Sequence, residues 1–279
     1  EDYLSRLNGK PDFEIEYLPK LNKLLFGFNR QKLICITART SEGKSALSLE
    51  MAYHLSKKHN VLYLSLEMTI ESAMFRLLCN SKKIENTELY WGNKGLYVKQ
   101  IEEFYQEIEE RRLIITDSIG RSWQEIDLAM EKLVEDKPDI IFLDWVGLIK
   151  TGQNKRNDID DYVKKFRQLA VEHNLCVVVV QQIGRENVKE GAEPSMLGIK
   201  ESGIFEEASD VVMVLSYPHK RNPNKDIHEY RVVVSKNRDG MTAYVDLYFE
   251  PSQFRFEEKR VEPGQIKEVI KPPRVDWEN

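Results

Sequence analysis

The chain has 279 residues, with 41 Lys and Arg against 46 Asp and Glu and a formal net charge of −5. That length fits one large domain or two smaller ones, and 41% hydrophobic with 31% charged residues is ordinary for a globular protein. The charge balance excludes a bulk-basic, chromatin-like protein but leaves nucleic-acid binding open, because local charge decides that.

Residues 1–16 are polar and predict a linker arm with a short helix around 3–7. A start at Glu1 and not at Met is expected of a piece of a longer chain. The regular pattern then begins: a strand at 33–38, an amphipathic helix at 44–58, a strand at 61–66, and a helix at 70–83. An acidic, solvent-facing helix is expected at 101–112 and a strand at 113–116. Ser122 and Glu125 form a capping box that opens a helix to about residue 135. A buried strand follows at 140–143, then a helix capped by Asn157 or Asp158 and running to about 173. Strands at 175–180 and 211–215 are apolar throughout. Apolar strands alternating with helices predict a doubly wound, mostly parallel α/β sheet covered on both faces. After Ser216 the pattern changes: 230–235 and 241–249 alternate around Asn237-Arg238-Asp239-Gly240, the signal of an antiparallel hairpin. One main domain is expected over 17–258, with a loose tail at 259–279.

Cys35, Cys79 and Cys176 are too few and too scattered for a disulfide scaffold, and the apolar runs around Cys35 and Cys176 predict buried thiols. They point to a reducing, cytoplasmic setting. No apolar run approaches the ~18 residues that a membrane helix needs, and no secretory signal opens the chain. His54, His59, His173, His219 and His228 show no metal-ligand spacing, and Met68, Met74 and Trp123 read as packing residues.

The strongest chemical signal is Ala38-Arg39-Thr40-Ser41-Glu42-Gly43-Lys44-Ser45, between an expected strand and an expected helix. That is the setting of a P-loop, in which backbone N–H groups at a helix N-terminus face phosphate oxygens. Gly43 allows close approach, Lys44 reaches the β- and γ-phosphates of ATP, and Ser45 ligates Mg²⁺. Ala38 stands where the general pattern has Gly. Asp144 ends the apolar run 140–143 and is placed to hold Mg²⁺ through water. Glu67 ends another strand and is placed to deprotonate an attacking water, although taken alone it reads better as a helix-starting acid. Gln182 follows 175–180, where an amide can meet both water and γ-phosphate; by itself it would pass for a surface residue.

These four elements, in this order, resemble the RecA-like motor of the DnaB family of replicative DNA helicases. Arg39-Thr40-Ser41-Glu42-Gly43-Lys44-Ser45 resembles the family's R-P-S-x-G-K-T, which begins with Ala or Gly, so Ala38 is accounted for. Ser65-Leu66-Glu67-Met68 with Arg76 resembles S-L-E-M, and Asp144-Trp145 with Leu148 resembles D-Y-L-x-L. Gln182 and Arg185 resemble Q-L-N-R; Lys200-Glu201-Ser202-Gly203 with Glu206 and Asp210 resembles R-E-S-G-x-I-E-x-x-A-D; Lys236, Arg238 and Gly240 resemble K-x-R-N-G. Thr40, Gly184, Lys200 and Asp239 depart from the pattern and suggest a divergent member of phage or plasmid type. Lys200 keeps the charge of Arg but loses its bidentate fork.

The resemblance implies an ATP- and Mg²⁺-dependent helicase working as a ring, six-membered in the family, on single-stranded or forked DNA. It implies Glu67 as catalytic base, Gln182 as γ-phosphate sensor, and Lys236 and Arg238 as residues reaching into the next subunit's ATP site. Two basic residues flanking a tight hairpin tip would project outward, which suits that role. The family's N-terminal collar has no counterpart in these residues, so a primase and a helicase loader are expected to act through a region preceding them.

The resemblance implies two loops that grip single-stranded DNA. The first follows Asp144, where Lys150, Lys155, Arg156, Lys164, Lys165 and Arg167 oppose Asp158, Asp160 and Asp161. The second lies between Gln182 and Gly203, where acids outnumber bases. Electrostatics alone would not choose that second loop; the resemblance implies contacts from Arg185, Lys200, Glu201 and Gly203, the last two through backbone N–H. Stacking aromatics are sparse in both, so backbone tracking with weak base readout is expected. The competing readings are another RecA-like ATPase, a recombinase or a protein-remodelling clock-type ATPase, and a module that holds ATP without turnover. Glu67 beside a full P-loop argues against the last.

Overall fold

The computed structural model describes residues 10–118, 122, 124–126, 128, 132, 137–149, 155–182 and 203–258. In chain order, helix α1 (Pro19–Leu25) precedes strand β1 (Leu33–Ala38), α2 (Lys44–Leu55), β2 (Val61–Ser65) and α3 (Ile70–Lys82). Then come α4 (Asn86–Trp91), a 3₁₀ turn (Lys94–Tyr97), α5 (Val98–Glu109), β3 (Leu113–Asp117) and β4 (Ile140–Asp144). They are followed by α6 (Lys155–Glu172), β5 (Cys176–Gln182), α7 (Gly203–Ala208), β6 (Val211–Ser216) and α8 (Pro218–Arg221). Strands β7 (Glu229–Asn237), β8 (Ala243–Glu250) and β9 (Arg255–Glu258) complete the described residues.

The described strands form a nine-stranded sheet in the order β3-β2-β4-β5-β1-β6-β7-β8-β9. The pairings from β3 to β6 are parallel and those from β6 to β9 antiparallel. Strands β1, β2, β4 and β6 are buried along their whole length, which explains their unbroken apolar runs. Alternate residues serve two cores. Ile34 and Ile36 of β1 join the layer with Leu47 and Met51 of α2; Leu33 and Cys35 join the opposite layer with Val163, Phe166 and Ala170 of α6. All three cysteines are buried free thiols, and burial pushes Cys35 up to about 12.

Helices α1, α4, α7 and α8 and strand β9 were not expected from the sequence, and three expected segments differ. Helix α2 stops at Leu55 and is buried on nearly every side, with Ser48 and Glu50 inside. Its outer side is covered: Glu50 accepts from Asn80 Nδ2 of α3 at 2.8 Å and from Phe256 N of β9 at 3.0 Å. Helix α6 begins at Lys155, so Asn157 and Asp158 lie in its first turn and not before it. Within the expected arm, Phe13 exchanges backbone bonds with Phe28 at 2.9 Å, and Phe13 and Ile15 are buried in the core. Glu258 Oε1 accepts from Lys20 N at 2.6 Å and Leu21 N at 3.0 Å, fastening β9 to the start of α1. Glu125 accepts from Ser122 N, one half of a capping box, and also from Ser122 Oγ, though most of that segment lies outside the described residues, with Trp123, the first nine residues and 259–279.

Candidate nucleotide-binding site

Residues 39–43 turn from the carboxyl end of β1 into α2. The turn needs left-handed backbone at Ser41 (φ 62°) and at Gly43 (φ 84°), the N-cap of α2. A side chain at Gly43 would also meet the Tyr230 hydroxyl, 3.1 Å from its Cβ. Tyr230 Oη donates to the Glu42 carbonyl at 2.6 Å, so β7 anchors the loop from beneath. The Glu42 carboxylate is turned inward: it accepts from Arg39 N at 3.3 Å and lies 3.5 Å from Arg221. Burial pushes its pKa up, while Arg221 opposes the rise. Glu42 therefore fastens the loop, and neither it nor Arg39 lines the cleft.

The cleft has a volume of about 370 Å³ and is lined by Thr40, Ser41, Gly43, Lys44 and Ser45, together with Glu67 and Gln182. Lys44 is buried, with Nζ 3.4 Å from the Arg39 carbonyl. Burial pulls its pKa down; Asp144, Glu67 and Glu42 pull it back up. Gln182 ends β5 in register with Ala38, the residue before the loop. Glu67 is exposed between buried Leu66 and Met68. Its turn is fixed twice: Leu66 N donates to the Asp144 carbonyl at 2.6 Å, and Ser65 Oγ both accepts from Met68 N (2.9 Å) and donates to Met68 O (2.6 Å). The sequence-predicted catalytic residues of the P-loop strand, β2 and β5 thus meet at one sheet edge.

Asp144 lies beneath them, fully buried. Its Oδ2 accepts from Tyr63 Oη at 2.6 Å, and its Oδ1 is buried without a regular hydrogen bond. Burial pushes its pKa up; Tyr63 and Ser45 hold it down. A divalent cation fits this donor set. Among the described residues no group of three or more His, Cys, Asp or Glu would hold a metal alone. Mg²⁺ typically takes one or two carboxylates and completes its shell with phosphates and water.

The other wall of the cleft was not legible as such: Tyr217 after β6, Phe249 of β8, and Pro251 and Phe254 beyond it. The Arg76 guanidinium lies 5.2 Å from the Phe254 ring centre. These residues come from the antiparallel strands, and nothing in their local pattern says that β8 folds back to the P-loop.

Lys236 and Arg238 are not part of this cleft. Asn237 and Lys236 pair with Val211 and Val212, and Val211 and Val212 pair with Ile34 and Cys35 near the start of β1, whereas the P-loop follows its end. A strand length of roughly 16–20 Å separates them. They do not extend freely from the tip: Lys236 Nζ and Arg238 Nη2 donate to the Glu207 carbonyl of α7 at 3.1 and 2.7 Å, and Arg238 lies 3.7 Å from Asp210. The last carbonyls of a helix attract cations.

Of the DNA-contact candidates, Lys200, Glu201 and Arg185 lie outside the described residues, as does Lys150. Lys155 and Arg156 open α6, and Gly203 opens α7. The basic character expected after Asp144 is partly neutralised within the fold, since Arg167 pairs with buried Asp210 and Lys164 lies 3.6 Å from Asp161. No described helix is long and apolar enough to cross a membrane.

Comparison with known proteins gives this arrangement a lineage. The DnaB-like helicase C-terminal domain model matches residues 16–258. Replicative DNA helicase DnaB of Geobacillus stearothermophilus is 28% identical over 283 residues, covering 91% of this chain and 60% of the relative. A probable plasmid replicative DNA helicase of Chlamydia trachomatis is 29% identical over 234 residues, covering 80% and 50%. The chain thus spans 50 to 60% of the length of these relatives. Among solved structures, an isolated ATPase domain superposes with a TM-score of 0.82 at 21% identity, covering 93% of this chain and 95% of that one. A DnaB-like replicative helicase, described with its interactions with primase, gives 0.81 at 21% identity, covering 90% and 64%. A KaiC-like protein of Pyrococcus horikoshii gives 0.62 at 14% identity over 90% of this chain and all of its own. The structural likenesses bear out the RecA-like fold, and with the family model spanning most of its residues, the chain belongs to the DnaB-like helicase C-terminal domain family.

Proposed function

We propose that this chain is the motor of a replicative DNA helicase, which hydrolyses ATP at the junctions of neighbouring subunits in a ring, hexameric as the family suggests. Hydrolysis drives it along single-stranded DNA to part a fork. One observation carries the reading: in a chain of this family, Thr40, Ser41, Gly43, Lys44, Ser45, Glu67 and Gln182 converge on one cleft above buried Asp144.

The backbone N–H groups entering α2 hold the phosphates, and Lys44 spans the β- and γ-oxygens. Ser45 and Asp144 hold Mg²⁺, which when bound offsets charge on those oxygens. Glu67, exposed and rigidly presented, takes the proton of the attacking water. Gln182 orients that water against the γ-phosphate. The wall of Tyr217, Phe249 and Phe254 receives the nucleoside. Lys236 and Arg238, a strand length from their own P-loop, complete a neighbour's site and stabilise its transition-state charge. Trans completion calls for a head-to-tail interface, and a ring is its closed form. Lys155, Arg156, Arg185 and Lys200 track the DNA backbone, with the N–H groups of Glu201 and Gly203. A primase and a helicase loader belong to the same reading, acting through the region the longer relatives add.

The test is ATP-dependent unwinding of forked DNA, comparing 5′- and 3′-tailed forks, with phosphate release measured in parallel. DNA-stimulated hydrolysis is expected, falling roughly 10²- to 10⁴-fold in Glu67→Gln while nucleotide binding persists. Strand exchange without unwinding would transfer the chain to the recombinase reading.

A further inference from the structure

The Asp144 carboxylate is held by a buried chain of hydroxyls. Tyr63 of β2 is fully buried, and its hydroxyl donates to Asp144 Oδ2 at 2.6 Å, a short charge-assisted bond. The same hydroxyl lies 3.0 Å from Ser48 Oγ of α2. Ser48 Oγ lies in turn 3.3 Å from the Ser45 carbonyl, the backbone of the expected metal-ligating serine. The remaining carboxylate oxygen, Oδ1, is buried and has no regular hydrogen bond, with the side chain of Ser45, the other expected cation-holding residue, beside the carboxylate.

We infer that Tyr63 is a positioning residue for the metal-holding carboxylate: its hydroxyl, tethered to Ser48, occupies Oδ2 and so reserves Oδ1 for the shell of a divalent cation. The chain of contacts Asp144–Tyr63–Ser48–Ser45 joins the two expected cation-holding residues, one on β4 and one on α2, through the strand that leads to Glu67. A carboxylate with neither oxygen held rotates about its Cβ–Cγ bond and presents its lone pairs to the cation part of the time. With Oδ2 clamped, the plane of the group is fixed before the cation and nucleotide arrive. Partners of this outer kind typically change metal affinity 10- to 100-fold when removed. Apolar neighbours crowd the rest of the Tyr63 ring, with Phe142 stacked 6.0 Å away, so the ring is held by packing and the hydroxyl alone can be deleted.

This inference rests on the reading of Asp144 as a cation-holding residue, and the experiment separates the two. Mn²⁺ binding in the presence of saturating ADP is followed by electron paramagnetic resonance, and metal-free affinity for a fluorescent ADP analogue is measured alongside. Tyr63→Phe is expected to weaken Mn²⁺ about tenfold or more while metal-free nucleotide affinity stays within about twofold. Unchanged Mn²⁺ affinity would overturn the assignment, as would an equal loss of metal-free nucleotide binding, which marks a collapsed loop. Asp144→Asn runs in parallel: if it too leaves Mn²⁺ affinity unchanged, the role of Asp144 itself has failed. Should Tyr63→Phe not fold, Ser48→Ala decides. It leaves the ring in place and is expected to give a smaller, metal-selective loss; no loss would remove the tether from the argument.

Discussion

Glu50 is a carboxylate that water hardly reaches, 2% exposed on α2. Burial pushes its pKa up to about 8, against the pull of Asn80, the Phe256 N–H and Arg255. An unfolded chain would release that proton near the ordinary 4.5. Between those values the native state holds a proton that the unfolded state lacks, so stability falls as pH rises. The expected result is a denaturation midpoint that declines between about pH 5 and 8 and a Glu50→Gln variant that lacks this decline. Parallel curves for the two proteins would sink it. His54 acts in the opposite sense: burial pulls it down to about 4, so its contribution is lost on acidification. The same residue scale shows what a sequence can reveal. Lys44 at a helix start and Asp144 at a strand end were legible from their pattern, whereas Glu67 and Gln182 gained a role only through the family resemblance. Tyr63 and Ser48 were not, because a hydroxyl in an apolar strand and a serine in a helix carry no signal until the strand and helix are packed together.

Among the elements, the β7–β8 hairpin is the clearest case of position implying role. Its register holds Lys236 and Arg238 at the opposite sheet edge from their own Lys44. Under the proposed trans role, Arg238→Ala and Lys44→Ala each lower hydrolysis about 10³-fold or more. Co-expressed together, they are expected to regain activity, since a junction pairing an Arg238→Ala P-loop with a Lys44→Ala hairpin is whole. Random assembly makes roughly one junction in four complete. No recovery in a verified mixed assembly would reject completion between subunits. The parallel strands and the longer helices were legible from apolar periodicity and the hairpin from its Asp-Gly turn, but α1, α4, α7, α8 and β9 were not. Helix α2 departs from the amphipathic expectation because α3 and β9 cover its outer side, and β9 is a four-residue strand with no alternation long enough to read.

For the whole molecule, net charge was a poor guide. Val98–Glu109 carries many acids on a largely exposed helix, while Asp210 gathers Lys32, Arg167 and Arg238 around one buried carboxylate. Charge that looks available for DNA in the sequence is therefore partly engaged inside the fold. Domain closure depends on another distant acid. Leu18, the N-cap of α1, offers no side-chain cap, and Glu258 supplies one to Lys20 N from 238 residues away. Glu258→Ala is expected to cost about 1 kcal/mol, read by chemical denaturation. An unaltered midpoint would show the clasp to be idle. The clasp also sets how the domain would carry a load. Because the last described strand grips the first described helix, the clasp would share tension across the domain with the β8–β9 pairing beside it. Since Phe249, Pro251 and Phe254 of the cleft wall lie just before β9, a pull on that strand would be felt at the nucleotide cleft.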